Sequence, residues 1–149
     1  MIDPNVVEGT LSVSDQEAYV LFDSGSTHTF VSSKFAKTLS VKSEKLDFEL
    51  CVSTPTGNLI CACDVLRSCK VVMGGKIFFV DLIVLDMCDF DVIFGMDWMS
   101  MRRVSIHCKE KKILFTMEGD TVIFEGEKSK SLPRVIFALQ ALRSVRKGC

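Results

Sequence analysis

The sequence predicts an all-β fold, a closed or sandwiched arrangement of strands with one or two short helices. Three observations support this fold class. Short apolar or alternating runs recur along the chain, and turn-forming residues separate them. Before the C-terminal tail, only two short segments favour a helix. The chain has 149 residues, which suits one domain with a substantial core.

Composition narrows the class of protein. Hydrophobic residues make up 48% and charged residues 25%, which is typical of a globular domain. The net charge of -1 gives no reason to expect a nucleic-acid partner. No apolar run approaches the roughly 18 residues that a membrane span needs, and the first residues lack the pattern of a signal peptide. We therefore expect neither a membrane partner nor secretion.

The cysteine content predicts a reducing, intracellular environment. There are seven cysteines, an odd number, and without a secretory signal they are expected to be free thiols. Cys61, Cys63 and Cys69 are the candidates for a metal cluster. One residue separates Cys61 from Cys63, whereas common zinc pairs have two to four residues between them. We predict no metal site, because such a pair is equally typical of the buried face of a strand.

The first hairpin leads to an acidic residue. Residues 9–13 alternate as a short strand, residues 14–17 form a polar turn, and residues 18–22 form an apolar strand that ends at Asp23. Ser24 and Gly25 follow. Burying a carboxylate is costly unless it is hydrogen-bonded or has a function. The alternative is an ordinary strand-end turn, in which Asp, Ser and Gly are all common.

The next segments predict a helix and a second hairpin. Across residues 29–39 the apolar side chains lie near helical spacing, and Ser32 or Ser33 provides an N-cap. Residues 46–52 and 59–62 are predicted strands. The turn between them has a polar tip formed by Thr54, Pro55, Thr56, Gly57 and Asn58. Such a tip is a plain loop or, beside an active site, a lid.

The remaining predicted elements are short. Gly74 and Gly75 form a tight turn between two strands. A short helix with a buried Trp98 follows Gly95. The predicted strands of this half are residues 68–73, 76–85, 90–95, 104–108, 112–116 and 120–125. The tail across residues 133–147 is compatible with a helix or with a segment that becomes ordered on a partner.

Two motifs, in this order along the chain, resemble the two signature motifs of the retropepsins. The retropepsins are the aspartic proteases of retroviruses and long-terminal-repeat retrotransposons. Asp23-Ser24-Gly25 resembles the Asp-Thr/Ser-Gly signature of this family. Val92-Ile93-Phe94-Gly95 resembles its hydrophobic-hydrophobic-Gly motif. The run Gly95-Met96-Asp97-Trp98-Met99 is similar to the Gly-Met-Asp-Trp-Leu run of Ty3/gypsy-type elements.

The resemblance implies a retropepsin-like closed β-barrel that works as a homodimer. Domain limits follow as residues 1–7 for a leader, 8–126 for the protease domain and 127–149 for a connector towards reverse transcriptase. Two carboxylates sharing one proton activate a water molecule and protonate the scissile carbonyl, because like charges about 3 Å apart cannot both ionise. The chain has one such signature, so Asp23 of a second chain must complete the dyad. No cofactor is implied.

The resemblance also implies roles for the flanking residues. Ser24 would brace the two loops across the dimer axis, and Gly25 would allow close approach of the substrate. The tip, Thr54 to Asn58, would close over an extended peptide from a retroelement polyprotein. Activity would take place in the cytoplasm or within virus-like particles.

Two departures from the family pattern lead to further expectations. Ser26 replaces a common Ala, and its hydroxyl is expected to bond a dyad carboxylate. Phe94 is bulkier than usual, so it reshapes a pocket or fills core. Three rival functions remain open. They are a catalytically silent dimerisation or peptide-binding domain, an unrelated β-barrel binding module, and a nucleic-acid partner, for which the basic tail is the only argument.

Overall fold

The structure is a computed structural model that describes residues 6–53, 57–127 and 140–144. In this part of the chain there are eleven strands and two short helices. In chain order they are β1 (Val6–Val13), β2 (Gln16–Asp23), β3 (Phe30–Ser32), α1 (Ser33–Ala36), β4 (Ser43–Ser53), β5 (Leu59–Met73), β6 (Lys76–Leu85), β7 (Val92–Phe94), α2 (Met96–Met101), β8 (Ser105–His107), β9 (Lys112–Met117), β10 (Asp120–Glu125) and β11 (Gln140–Ser144).

Eight of these strands form one sheet, in the order β1-β2-β7-β3-β6-β5-β4-β11. β1 also pairs with β5, through Ser12 with Val72 and Val13 with Val71. The three strands β10, β9 and β8 form a second sheet. The predicted all-β fold class is therefore confirmed. No helix in the described residues is long and apolar enough to cross a bilayer.

The strands β2 and β7 lie between two hydrophobic clusters, which explains why their sequences are apolar without alternation. Phe22 and Phe94 belong to the larger cluster, together with Trp98. Leu21 and Ile93 point to the other face and belong to the second cluster. The two strands pair in parallel, with Leu21 opposite Ile93 and Phe22 opposite Phe94. Both strands are thus buried on both faces.

Several predicted boundaries are wrong because tertiary pairing overrides local spacing. Residues 29–39 do not form one helix: Phe30–Ser32 is strand β3, paired with β6 and β7, and α1 covers only Ser33–Ala36. The predicted Ser32 cap is confirmed, since its hydroxyl accepts from the Phe35 N–H at 3.0 Å. The separate strands at 59–62 and 68–73 are one long strand, β5, with an irregularity between Leu66 and Cys69.

Near both ends of the chain the structure differs from the predicted elements. Val6 and Val7, assigned to the leader, are buried and begin β1. The tail was predicted as a helix or a segment ordered by a partner. Its residues 140–144 instead form β11, which pairs antiparallel with β4 from Gln140 opposite Ser53 to Ser144 opposite Glu49. The predicted glycine turn is confirmed, because Gly74 and Gly75 both have positive φ angles.

Candidate active site

Asp23 is the last residue of β2, and the parallel register places it beside Gly95. Phe22 pairs with Phe94, so the residues that follow them, Asp23 and Gly95, lie side by side at the same edge of the sheet. Carboxyl ends of neighbouring parallel strands are where loops meet to form sites. The two motifs singled out in the sequence are therefore adjacent in space.

The Asp23 loop folds back on its own backbone. The Asp23 side chain is 0% exposed. Its Oδ1 accepts a hydrogen bond from the Gly25 N–H at 2.8 Å, and its backbone carbonyl accepts from the Ser26 N–H at 3.0 Å. This turn holds the carboxylate in one orientation. Full burial of a carboxylate costs several kcal/mol of folding free energy unless it is compensated. An ordinary strand-end turn would therefore be expected to leave its carboxylate exposed.

Ser26 has a structural contact rather than the predicted one. Its buried hydroxyl donates to the backbone carbonyl of His28 at 2.8 Å. A serine hydroxyl has a single hydrogen to donate. This contact contradicts the expectation that Ser26 donates to a dyad carboxylate. The residue instead closes the loop between Asp23 and Thr29.

Replacing Ser26 by alanine is expected to lower stability and to leave the pH dependence of cleavage unchanged. The lost hydrogen bond is worth about 1 kcal/mol of unfolding free energy, and no titrating carboxylate loses a donor. Urea denaturation and a pH–rate profile measure the two effects. A pH optimum that moves by a full unit would show that the hydroxyl contacts the dyad after all.

A series of hydrogen bonds joins the loop that begins at Gly95 to the loop that begins at Asp23. The Gly95 N–H donates to the Thr29 hydroxyl at 3.1 Å, and that hydroxyl donates to Asp97 Oδ1 at 2.7 Å. Asp97 Oδ1 also accepts from the Trp98 N–H, at the first turn of α2. The Met96 N–H donates to the Ser26 carbonyl at 2.8 Å. These contacts join the two motif loops into one rigid unit.

Thr29 and Asp97 are site residues that the sequence reasoning missed. Asp97 was noted only as part of the Gly-Met-Asp-Trp run, and Thr29 was assigned to a helix. The available signal was an acid in the first turn of the predicted helix, where carboxylates bond free N–H groups. Nothing in the sequence identified Thr29 as its partner across 68 positions.

Replacing Thr29 by valine is expected to cost about 1–3 kcal/mol of unfolding free energy. The side chain is 1% exposed, and valine has nearly the same shape but leaves the buried Gly95 N–H without its acceptor. Urea denaturation measures the loss. Thr29→Ser keeps the hydroxyl and serves as the control, with a smaller effect expected. A loss in Thr29→Ser that equals or exceeds the loss in Thr29→Val would show that the methyl group, which valine keeps and serine lacks, contributes at least as much as the hydrogen bond.

Ile93 and Phe94 lie in the strand just before Gly95 and attach the two joined motif loops to the hydrophobic clusters. The Phe94 ring stacks on Phe22 with centroids 4.7 Å apart, and the Trp98 ring lies 4.9 Å from Phe94. Phe94 is 0% exposed. Its bulk therefore fills core rather than reshaping a pocket, which decides between the two expectations. The buried Trp98 is confirmed.

The predicted hairpin is present as β4 and β5, which pair from Ser53 opposite Leu59 down to Ser43 opposite Leu66. Its stem packs against the strands of the site, because Leu50 and Val52 share a cluster with Leu21 and Ile93. At the tip, Gly57 has a φ of +89°, and Asn58 is exposed. The tip residues Thr54, Pro55 and Thr56 lie outside the described residues.

The neighbouring carboxylate Asp91 has a structural role. Its Oδ2 accepts from the Tyr19 N–H at 2.9 Å, and its backbone carbonyl accepts from the Ser32 N–H at 2.9 Å. Asp91 thus joins β2 to β3 near the start of β7. With Asp97 holding Thr29, both of these carboxylates have structural partners.

The cysteines of the hairpin are not free thiols as predicted. Cys51 and Cys61 lie opposite each other in the β4–β5 ladder and form a disulfide. Glu49 lies within 4.8 Å of both sulfur atoms, but bonded sulfurs offer no thiolate for a metal. Cys69 lies in the larger hydrophobic cluster, the one that contains Phe22 and Phe94. Burial there raises the pKa of its thiol to about 11. The disulfide removes Cys61 from the candidate set of Cys61, Cys63 and Cys69.

Taken together, the fold and the two adjacent motif loops define an all-β domain with an Asp-Ser-Gly loop, whose aspartate is buried, at the edge of its main sheet. The family model described as retroviral aspartyl protease matches residues 2–121. The chain therefore belongs to the retroviral aspartyl protease family. None of the curated proteins matches the sequence significantly.

Solved structures support the fold. The retroviral protease-like domain of Ddi1 from Leishmania major matches with a TM-score of 0.63 and 13% sequence identity. The match covers 86% of this chain and 98% of that domain. At this level of identity the likeness concerns the fold alone, which is retropepsin-like.

Proposed function

We propose that the protein is an aspartic endopeptidase that works as a twofold homodimer and hydrolyses peptide bonds of a retroelement polyprotein. The observation that carries this proposal is the placement of Asp23. A fully buried carboxylate stands at the edge where two parallel strands end, fixed by the Gly25 N–H. The family membership supports the same activity. Similarity of the Gly-Met-Asp-Trp run supports an origin in a Ty3/gypsy-type element.

The dimer follows from the chemistry. Water activation and carbonyl protonation need two carboxyl groups that share a proton, and each chain supplies one. The Asp23 loops of two protomers would meet on the twofold axis, where Ser24 and Gly25 flank the dyad. Exposed apolar side chains next to the site, Met96 after Gly95 and Leu59 after the lid tip, are suited to contact with substrate or with a second protomer. The β1–β5 pairing supports a closed barrel in each protomer.

The substrate would be an extended polypeptide. The β4–β5 hairpin would close over it, exclude water and pair with its main chain, while apolar walls favour hydrophobic side chains at the cleaved bond. The cytoplasm or virus-like particles are the proposed location on the family resemblance alone, because the Cys51–Cys61 disulfide removes the free-thiol argument for a reducing environment.

A silent interaction module is the second candidate function. One observation favours it: β11 of the same chain pairs with β4 from Glu49 to Ser53, immediately before the lid tip. A strand edge accepts one partner at a time, so β11 competes there with any extended peptide. A second rival, an unrelated β-barrel module, is excluded by the family match.

The test is cleavage of an unbiased peptide library by the wild type and by Asp23→Asn, from mildly acidic to neutral pH. Cleavage that disappears in the variant supports the protease. No cleavage by either protein, at concentrations where sedimentation shows a dimer, favours the silent module.

A further inference from the structure

The charge of the protein is unevenly distributed, although the total is only -1. Between residues 102 and 112 there are five cations, Arg102, Arg103, Lys109, Lys111 and Lys112, and a single acid, Glu110. In the described part of the chain none of these five cations forms an ion pair. The ion pairs there use Lys45, Arg67, Lys70 and Lys76 instead.

Arg102 and Arg103 border a cleft of about 480 Å³ between the end of α2 and the outer face of the β8–β9–β10 sheet. Strand register brings three hydroxyls to the same cleft. Thr116 lies opposite Thr121, and Ser105 lies opposite Leu114, two residues along β9 from Thr116. The cleft therefore offers two guanidinium groups and three hydroxyl groups.

Arg102 is held against an aromatic ring, and one of its donors lacks an acceptor in the described part of the chain. Its guanidinium carbon lies 5.5 Å from the centroid of the Phe78 ring, which orients the group. Its Nε–H is buried and has no hydrogen-bond acceptor among the described residues. An unsatisfied donor of a charged group is costly, so the protein does not fully satisfy Arg102 in this part of the chain. A ligand in the cleft would contact the terminal N–H groups of the guanidinium rather than this shielded Nε–H.

The acidic residues of the same sheet do not neutralise the cleft. They either form ion pairs with Lys76 or lie at the far end of the strands. Glu118 and Asp120, at the β9–β10 turn, both contact Lys76, at 3.8 and 2.7 Å. Glu125 lies opposite Lys112, at the other end of the two strands from Thr116 and Thr121. The cleft itself contains no carboxylate among the described residues.

We propose that this cleft binds a phosphate group. Planar guanidinium groups and hydroxyls together match the tetrahedral oxygens of phosphate, and guanidinium–phosphate contacts are among the stronger hydrogen bonds in proteins. The source of the phosphate is a nucleic-acid backbone or a free phosphate ion. The cation-rich β8–β9 hairpin continues from the cleft through Lys112 to Lys109 and Lys111, which suits an extended polyanion. The site is separate from Asp23 and its function does not depend on proteolysis.

The test measures binding by amide chemical shifts in the full chain, with inorganic phosphate and with a single-stranded oligothymidylate as probes. Shifts are expected at Ser105, Thr116 and Thr121. Arg103→Asn is expected to weaken binding about tenfold, the loss of one charge-assisted hydrogen bond. Asparagine tolerates the left-handed backbone of Arg103, whose φ is 53°. Lys42→Asn makes the same charge change at an exposed site elsewhere and should have no effect.

The outcomes of the experiment distinguish a nucleic-acid backbone from a free phosphate ion, and both from an acidic protein partner. Oligonucleotide affinity far above that of inorganic phosphate, falling steeply with salt, identifies a nucleic-acid backbone. Comparable affinities identify a free phosphate ion. A polyglutamate peptide that binds as tightly as the oligonucleotide would overturn the proposal in favour of an acidic protein partner. Shifts absent from the cleft, or equal losses in both variants, would also overturn it.

Discussion

Replacing Asp23 by asparagine is expected to abolish peptide cleavage, with kcat reduced by at least about 1,000-fold. The amide cannot act as a base toward water or share a proton with a second carboxyl group. In a homodimer the substitution removes both members of the dyad at once. The measurement is steady-state cleavage of the best substrate from the peptide library, at matched dimer concentration.

The Asp23→Asn variant should remain folded, which makes the comparison interpretable. Its side-chain oxygen still accepts from the Gly25 N–H, and a neutral amide is cheaper to bury than a carboxylate. Thermal unfolding at or above the wild-type midpoint would show this. Asp89→Asn makes the same chemical change at an exposed carboxylate and should retain full activity. Cleavage surviving in Asp23→Asn would exclude Asp23 as the catalytic residue.

Local sequence patterns predicted the parts of this fold that depend on local chemistry. The apolar run ending at Asp23, the Gly74-Gly75 turn and the strand across residues 120–125 all have strong local signals, and all are present. The two motifs predicted that Asp23 and Gly95 belong to one site, and the β2–β7 register brings them together.

The parts that the sequence did not predict depend on contacts distant along the chain. Phe30 and Val31 have helical spacing, but their pairing with Ile83 and Val84 of β6 holds them in a strand. The Ser26 hydroxyl donates to His28 because the loop closes on itself, which no spacing indicates. The partnership of Thr29 with Asp97 spans 68 positions and required the folded chain.

Replacing Gly95 by alanine is expected to have the largest effect on stability, about 3 kcal/mol or more of unfolding free energy. A Cβ atom at this position would clash with the His28 carbonyl oxygen and would lie 2.8 Å from the Ser26 carbonyl oxygen. Both are backbone atoms, so no side chain can rotate to relieve the contact. Chemical denaturation measures the loss.

Gly75→Ala separates this clash from a general cost of replacing glycine. Gly75 has a φ of +79°, and a Cβ there meets nothing within 4 Å, so only the left-handed backbone is penalised, by about 1 kcal/mol. A Gly95→Ala loss no larger than this would show that the loop over Gly95 adjusts easily.

The Gly95→Ala variant also tests how the two motifs depend on each other. The 26–28 segment that crosses Gly95 is the continuation of the Asp23 loop, and the Met96 N–H is bonded to the Ser26 carbonyl. Relieving the clash must therefore displace the loop that orients Asp23. If the variant stays folded at low temperature, we expect it to lose cleavage as well, because a shift of about 1 Å in a catalytic group can cost roughly 100-fold in rate. A folded Gly95→Ala protein with wild-type cleavage would mean that the glycine serves packing alone.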